Sequence, residues 1–199
     1  MVYQTLAPWA DPAPDQSLFT AAELARLPDD GWNYELVEGR LVRMALAGTR
    51  HSPQVALLMI ALANFAEPRG LGIVFTAETG FLISRPDEPD TVLGPDVAFL
   101  RTDRLPTESE QDQAFWRVAP DLVIELASPD QYRPELAAKA HRYLAAGVPL
   151  MWVLGPRHRR VDVWRAGATT MPIALGLADH LDGDDNIPGF RYPVAQLFP

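Results

Sequence analysis

Three side chains in this sequence could do chemistry together if the fold brings them close: Asp96, Glu125 and Lys139. Glu125 lies within "DLVIELA", with apolar residues on both sides. A carboxylate in such a strand costs several kcal/mol unless it is ion-paired, hydrogen-bonded or on a metal. An arginine partner is the plain alternative. Asp96 follows Gly94-Pro95, which is also an ordinary setting for a turn aspartate. Lys139 is the only lysine among 17 basic residues; the other 16 are arginines. Lysine differs from arginine in being a compact point charge with an adjustable pKa, suited to holding a water or a phosphate oxygen.

The elements that must position these groups can be read from the residue pattern. "DLVIELA" is apolar enough for a strand buried on both faces. "PELAAKAHRYLAAG" reads as a helix, with Pro134 near its start and Gly147 at its end. At about 100° per residue, Lys139 lies about 60° from Leu136 and about 40° from Tyr143. It therefore stands at the border of the apolar face, with its stem along the sheet and its ammonium at the edge of a cleft. Tyr143 lines that cleft or belongs to the core. "PLMWVLG" and "VDVWRA" are two further strands, so strand, helix and strand form a βαβ-like unit. Between those two strands lies "RHRR", either a solvated turn or a phosphate-facing patch. From Arg133 to Arg165 there are seven basic residues (Arg133, Lys139, Arg142, Arg157, Arg159, Arg160, Arg165) against Glu135 and Asp162.

Upstream, Thr20 and Glu23 have the spacing of a capping box, which predicts a short helix. "YELVEGRLVRM" is a hairpin turning at Glu38-Gly39. In "HSPQVALLMIALANFAEPRG", Ser52 and Pro53 start a helix. Val55, Leu58, Met59, Leu62 and Phe65 or Ala66 make its apolar stripe. "GIVFTAETGFLI" reads as one long strand, and "DVAFL" as another. The final stretch reads as acidic turns with a short closing strand or hook. The class expected is α/β, a mixed sheet flanked by helices. Residues 1–17 are expected to be an extended arm, and residues 18–199 one domain.

Composition narrows the function classes. The chain has 199 residues, is 48% hydrophobic and 22% charged, and has no cysteine. Thiolate metal sites and disulfides are thereby excluded, and a reducing compartment follows. No secretory signal pattern opens the sequence. The longest apolar run, nine residues from Val55, is too short to span a bilayer. A cytoplasmic protein is expected. The net charge of −9 argues against a sequence-independent nucleic-acid coat. It leaves room for an enzyme that meets nucleic acid through a local basic face and metal ions.

"GPDVAF", "PDLVIELASP" and "ELAAKAHRYLAAGVPLMWVLGP" resemble the Uma-two family, whose members are described as restriction endonucleases of the PD-(D/E)XK nuclease superfamily. "YELVEGRLVRM", "ETGFLI", "VDVWRAG" and "IPGFRYPVAQLF" match the same family in the same order, so the resemblance runs from about Tyr34 to the C-terminus. It implies a restriction-endonuclease-like core with an N-terminal hairpin and a C-terminal β extension. Pro95-Asp96 matches the superfamily's "PD", and Glu125 its (D/E). The lysine two residues on is missing, because position 127 is Ala127; Lys139 from the following helix matches the place of a relocated catalytic lysine. The resemblance also points to Glu38 and His51, against the plain readings of a turn residue and of an exposed residue before a helix cap. Ser128-Pro129 matches the loop after the catalytic strand.

What the resemblance implies is metal-dependent hydrolysis of phosphodiester bonds in nucleic acid, most simply DNA. Asp96, Glu125 and the Leu126 carbonyl would hold Mg²⁺ or Mn²⁺. Lys139 would orient the attacking water or stabilise developing charge. Glu38 would complete a second metal site or hold a metal-bound water. His51 would contact phosphate or move a proton. A homodimer is expected, since two sites are needed to cut both strands together. The alternatives are a nuclease-fold binding module without catalysis and a dimeric interaction protein, in which the arm carrying Trp9 crosses with Leu18 and Phe19 to a partner.

Overall fold

A computed structural model describes residues 18–44, 52–127, 133–167 and 171–198. The expected arm at 1–17, His51 and Ser128-Pro129 lie outside the described residues.

The chain opens with α1 (Ala21–Leu24), closed by the expected capping box between Thr20 and Glu23. The hairpin is β1 (Asn33–Val37) and β2 (Arg40–Met44). Its two-residue turn has positive φ at both Glu38 (50°) and Gly39 (76°), the twist that suits paired antiparallel strands. Helix α2 (Ser52–Ala66) leads to β3 (Gly72–Thr76) and β4 (Phe81–Leu82). Then follow β5 (Val92–Leu93), β6 (Val97–Arg101), the short α3 (Glu108–Gln111) and β7 (Leu122–Leu126). Helix α4 (Arg133–Ala145) precedes β8 (Leu150–Gly155) and β9 (Arg160–Arg165). The chain ends in β10 (Ile173–Leu175), β11 (His180–Asp182) and β12 (Arg191–Pro193).

Six strands form the central mixed sheet, in the order β10-β9-β8-β7-β6-β3. Only β7 and β8 are parallel, and α4 is the crossover between them. Strands β2-β1-β5-β4 form a second sheet with its own hydrogen-bond ladder. The long strand expected over "GIVFTAETGFLI" is therefore two: β3 pairs with β6, whereas β4 pairs with β5. The segment between them leaves one sheet for the other through the turn where the Thr79 amide donates to the Thr76 carbonyl. At Gly80 an added Cβ would sit 2.9 Å from the Phe115 ring. Periodicity showed the apolar run but not its change of layer.

Two apolar layers sandwich the central sheet. One face packs on α2 through Leu58, Leu62 and Ala66, and on the C-terminal hook through Leu181, Ile187, Phe190 and Leu197. The other packs on α4 through Ala140 and Tyr143, with Phe81 and Leu93 of the second sheet. All five residues of β7 are buried, as a strand covered on both faces requires.

Candidate active site

Strand alternation decides where the acids point. Leu122, Ile124 and Leu126 face the α2 side, while Val123 belongs to the α4 side. Glu125 therefore points toward α4. On β6, Val97 and Phe99 face α2 and Ala98 faces α4. Asp96, just before that strand, shares the parity of Ala98 and turns to the same side as Glu125.

Proline shapes the edge between them. The β6–β7 register pairs Val97 with Ile124, so its continuation sets Pro95 opposite Leu126. Pro95 has no amide hydrogen to offer the Leu126 carbonyl. The Leu126 amide instead donates to Asp96 Oδ2 at 2.7 Å. One proline thus opens the ladder at the point where the next residue's carboxylate enters it.

Lys139 is 3% exposed, not at the rim of a cleft as the helix geometry suggested. Its Nζ lies 2.8 Å from Glu125 Oε1 and 3.2 Å from Glu35 Oε1. The Tyr143 hydroxyl, one turn along α4, also donates to Glu125 Oε1, at 3.3 Å. Glu35 is the residue that sequence reading missed. It sits on β1, 4% exposed, and its Oε1 also accepts from the Gly94 amide at 3.0 Å. It thereby ties α4 to the turn that carries Pro95 and Asp96. The border of the helix face is buried because β1 covers it and brings a counter-charge.

Glu38 does not join this group. It is exposed on the hairpin turn, and its amide donates to the Thr91 hydroxyl at 3.0 Å. The strand brings in the glutamate three residues earlier.

Three carboxylates and one ammonium converge here. Burial pushes the Glu125 carboxyl up to about 7; the Lys139 ammonium pulls it down, and the charges of Asp96 and Glu35 add to the rise. Glu35 Oε2 is fully buried and has no hydrogen-bond partner among the described residues.

The donor chemistry suits a hard divalent cation. Asp96 and Glu125 lie on one face where β6 and β7 part, with Leu126 next in the chain. No group of three or more acidic or imidazole side chains among the described residues is spaced to hold a cation. Magnesium does not need such a cage, because it is usually held by one or two carboxylates with substrate phosphate and waters. The residues present fit the ion on that basis.

A family model described as "Putative restriction endonuclease" matches residues 21–195. The chain belongs to the Uma2 family. Among solved structures it is similar to the crystal structure of a "putative nuclease belonging to DUF820" from Anabaena variabilis ATCC 29413, with a TM-score of 0.75 at 19% identity. That match covers 89% of this chain and 96% of the other, and it establishes the Uma2 fold. No curated protein matches. The mixed sheet flanked by helices agrees with the expected class. Among the described residues no helix is long and apolar enough to cross a membrane. In this Uma2 chain the position two residues after Glu125 is Ala127, and the ammonium beside Glu125 comes from α4.

Proposed function

We propose that the protein is a metal-dependent endonuclease that hydrolyses phosphodiester bonds in DNA. The observation that carries this reading is the gathering of Asp96, Glu125 and Lys139 around the C-terminal end of β7, in a family described by that chemistry. Asp96 Oδ1, Glu125 Oε2 and the Leu126 carbonyl would hold Mg²⁺ or Mn²⁺. The bound ion would polarise the scissile phosphate and acidify a water. Lys139 supplies a buried positive charge that orients the attacking water or offsets charge developing on the phosphate. Glu35 is a positioning residue: it holds the ammonium as a second carboxylate partner beside Glu125. Tyr143 fixes the orientation of the Glu125 carboxylate. Glu38, out on its turn, takes no part in this reading. His51 remains the candidate for a phosphate contact or a proton transfer. A homodimer would place two such sites on one duplex.

A non-catalytic binding module is the second reading, and the 2.8 Å pairing of Lys139 with Glu125 favours it by occupying one ligand oxygen. The two are separated by incubating the wild type and Asp96→Asn with supercoiled DNA in Mg²⁺, Mn²⁺ or EDTA. Nicking that needs metal and disappears in the variant supports the nuclease. Wild-type protein that neither nicks DNA nor binds Mn²⁺ supports the module.

A further inference from the structure

The run Arg157-His158-Arg159-Arg160 turns the chain from β8 into β9, and the structure divides it in two. Arg159 adopts positive φ (49°), and its guanidinium donates to the Phe198 carbonyl at 2.6 Å. Arg160 pairs with Asp162 at 3.0 Å, and Arg165, at the far end of β9, with Asp184 at 2.6 Å. These three are structural. Arg157 and His158 are exposed on the single 3₁₀ turn Pro156–His158, with no acidic partner among the described residues. The turn is clamped from both sides while the side chains of Arg157 and His158 are left outward.

Its position gives those side chains a use. β7 and β8 run parallel, with Leu126 opposite Leu154, so their C-terminal ends lie together. Asp96 enters at the same end, because β6 is antiparallel to β7. Arg157 is three residues past Leu154. With strands about 4.8 Å apart and about 3.3 Å of rise per residue, its Cα lies on the order of 10 Å from that of Leu126. Each strand of duplex DNA carries one phosphate per about 3.4 Å of helix axis. A phosphate at the carboxylates would therefore have neighbours about three nucleotides away within reach of this turn. In a chain of net charge −9, this turn offers a phosphate an exposed guanidinium that no ion pair among the described residues engages.

We infer that the β8–β9 turn is the backbone-docking surface of the nuclease: Arg157 and His158 hold phosphates of duplex DNA flanking the one at Asp96 and Glu125. This rests on the nuclease reading above. It assigns direction as well as contact, since the bound strand runs from β7 across the end of β8.

The test uses the full chain, with Arg157→Glu/His158→Glu against wild type and against Arg26→Glu, exposed on the turn that follows α1. Nicking rates are measured over a range of duplex concentrations at 50 to 200 mM salt, and Mn²⁺ affinity is titrated alongside. The inference expects KM for the duplex to rise about tenfold in the double variant, with kcat within twofold. It also expects the slope of log(1/KM) on log salt to shrink by about one to two. Mn²⁺ affinity and the Arg26→Glu kinetics should match wild type. An active double variant with wild-type KM and salt slope would overturn the docking surface and leave the nuclease reading standing. Wild-type protein with no metal-dependent nicking would overturn both.

Discussion

Replacing Lys139 by methionine keeps most of the apolar stem and removes the ammonium and its charge. In the wild type that charge faces Glu125 Oε1 at 2.8 Å and Glu35 Oε1 at 3.2 Å, all three side chains being about 95% buried. Taking one partner from a buried pair typically costs 3–5 kcal/mol, because the remaining charge is left uncompensated. That cost depends on pH. Glu125 already has its carboxyl raised from 4.5 to about 7. The folded state binds the extra proton, so this group's contribution is complete below pH 4.5 and lost as pH rises through 7, about 3 kcal/mol over that span. Without the ammonium, the pull that lowers the Glu125 value is gone, and the loss continues to higher pH. Urea unfolding followed by tryptophan fluorescence should therefore show Lys139→Met within about 1 kcal/mol of wild type at pH 5. The gap should widen to about 3–5 kcal/mol at pH 8. A gap that does not change with pH would refute the idea that this lysine is the counter-ion of the acidic group.

The same titration bears on metal. Glu125 must shed its proton to act as a ligand, so Mn²⁺ affinity measured calorimetrically should rise about tenfold per pH unit below about 7 and level off above; a flat profile would remove Glu125 from the ligand set. Glu125→Gln and Asp96→Asn should each abolish Mn²⁺ binding and cleavage with little loss of stability, and full activity in either would sink the site assignment. Lys139→Ala should bind Mn²⁺ more weakly than wild type at a given pH and lack turnover even at saturating metal; an unchanged rate at saturation would return the lysine to a structural role. Glu38→Asn should raise stability by about 0.5 kcal/mol, since asparagine accepts positive φ more readily, and leave cleavage untouched. Loss of activity in that variant would restore Glu38 to the site.

Much of this arrangement is legible in the residues. The apolar run around Glu125 announces a buried acid, and the lone lysine on the next helix suggests its partner. The "PD" pair marks the strand beside it. Glu35 escaped because one glutamate in a hairpin looks like the polar half of an alternating strand. A signal was present, however. Val37 shares Glu35's face by the two-residue period, and Val37 packs on the α4-side core. That face is inward, so its glutamate is inward too. Glu38 drew attention by standing beside the glycine, yet a two-residue turn commits both positions to backbone geometry. The burial of Lys139 could not be read from α4 alone, because the cover comes from β1, more than a hundred residues away. The break between β3 and β4 escaped for a similar reason: a run of apolar residues does not say which sheet each half joins.

The hydrogen bonds that build the site span long stretches of chain: 30 residues from Asp96 to Leu126, 59 from Glu35 to Gly94 and 104 from Glu35 to Lys139. Contacts this distant in sequence form only after the loops between them have closed. A growing chain that has emerged through β7 carries its acids but no ammonium. The site is thus a property of the finished molecule: its three acids and its ammonium share one environment only once both sheets and α4 are in place.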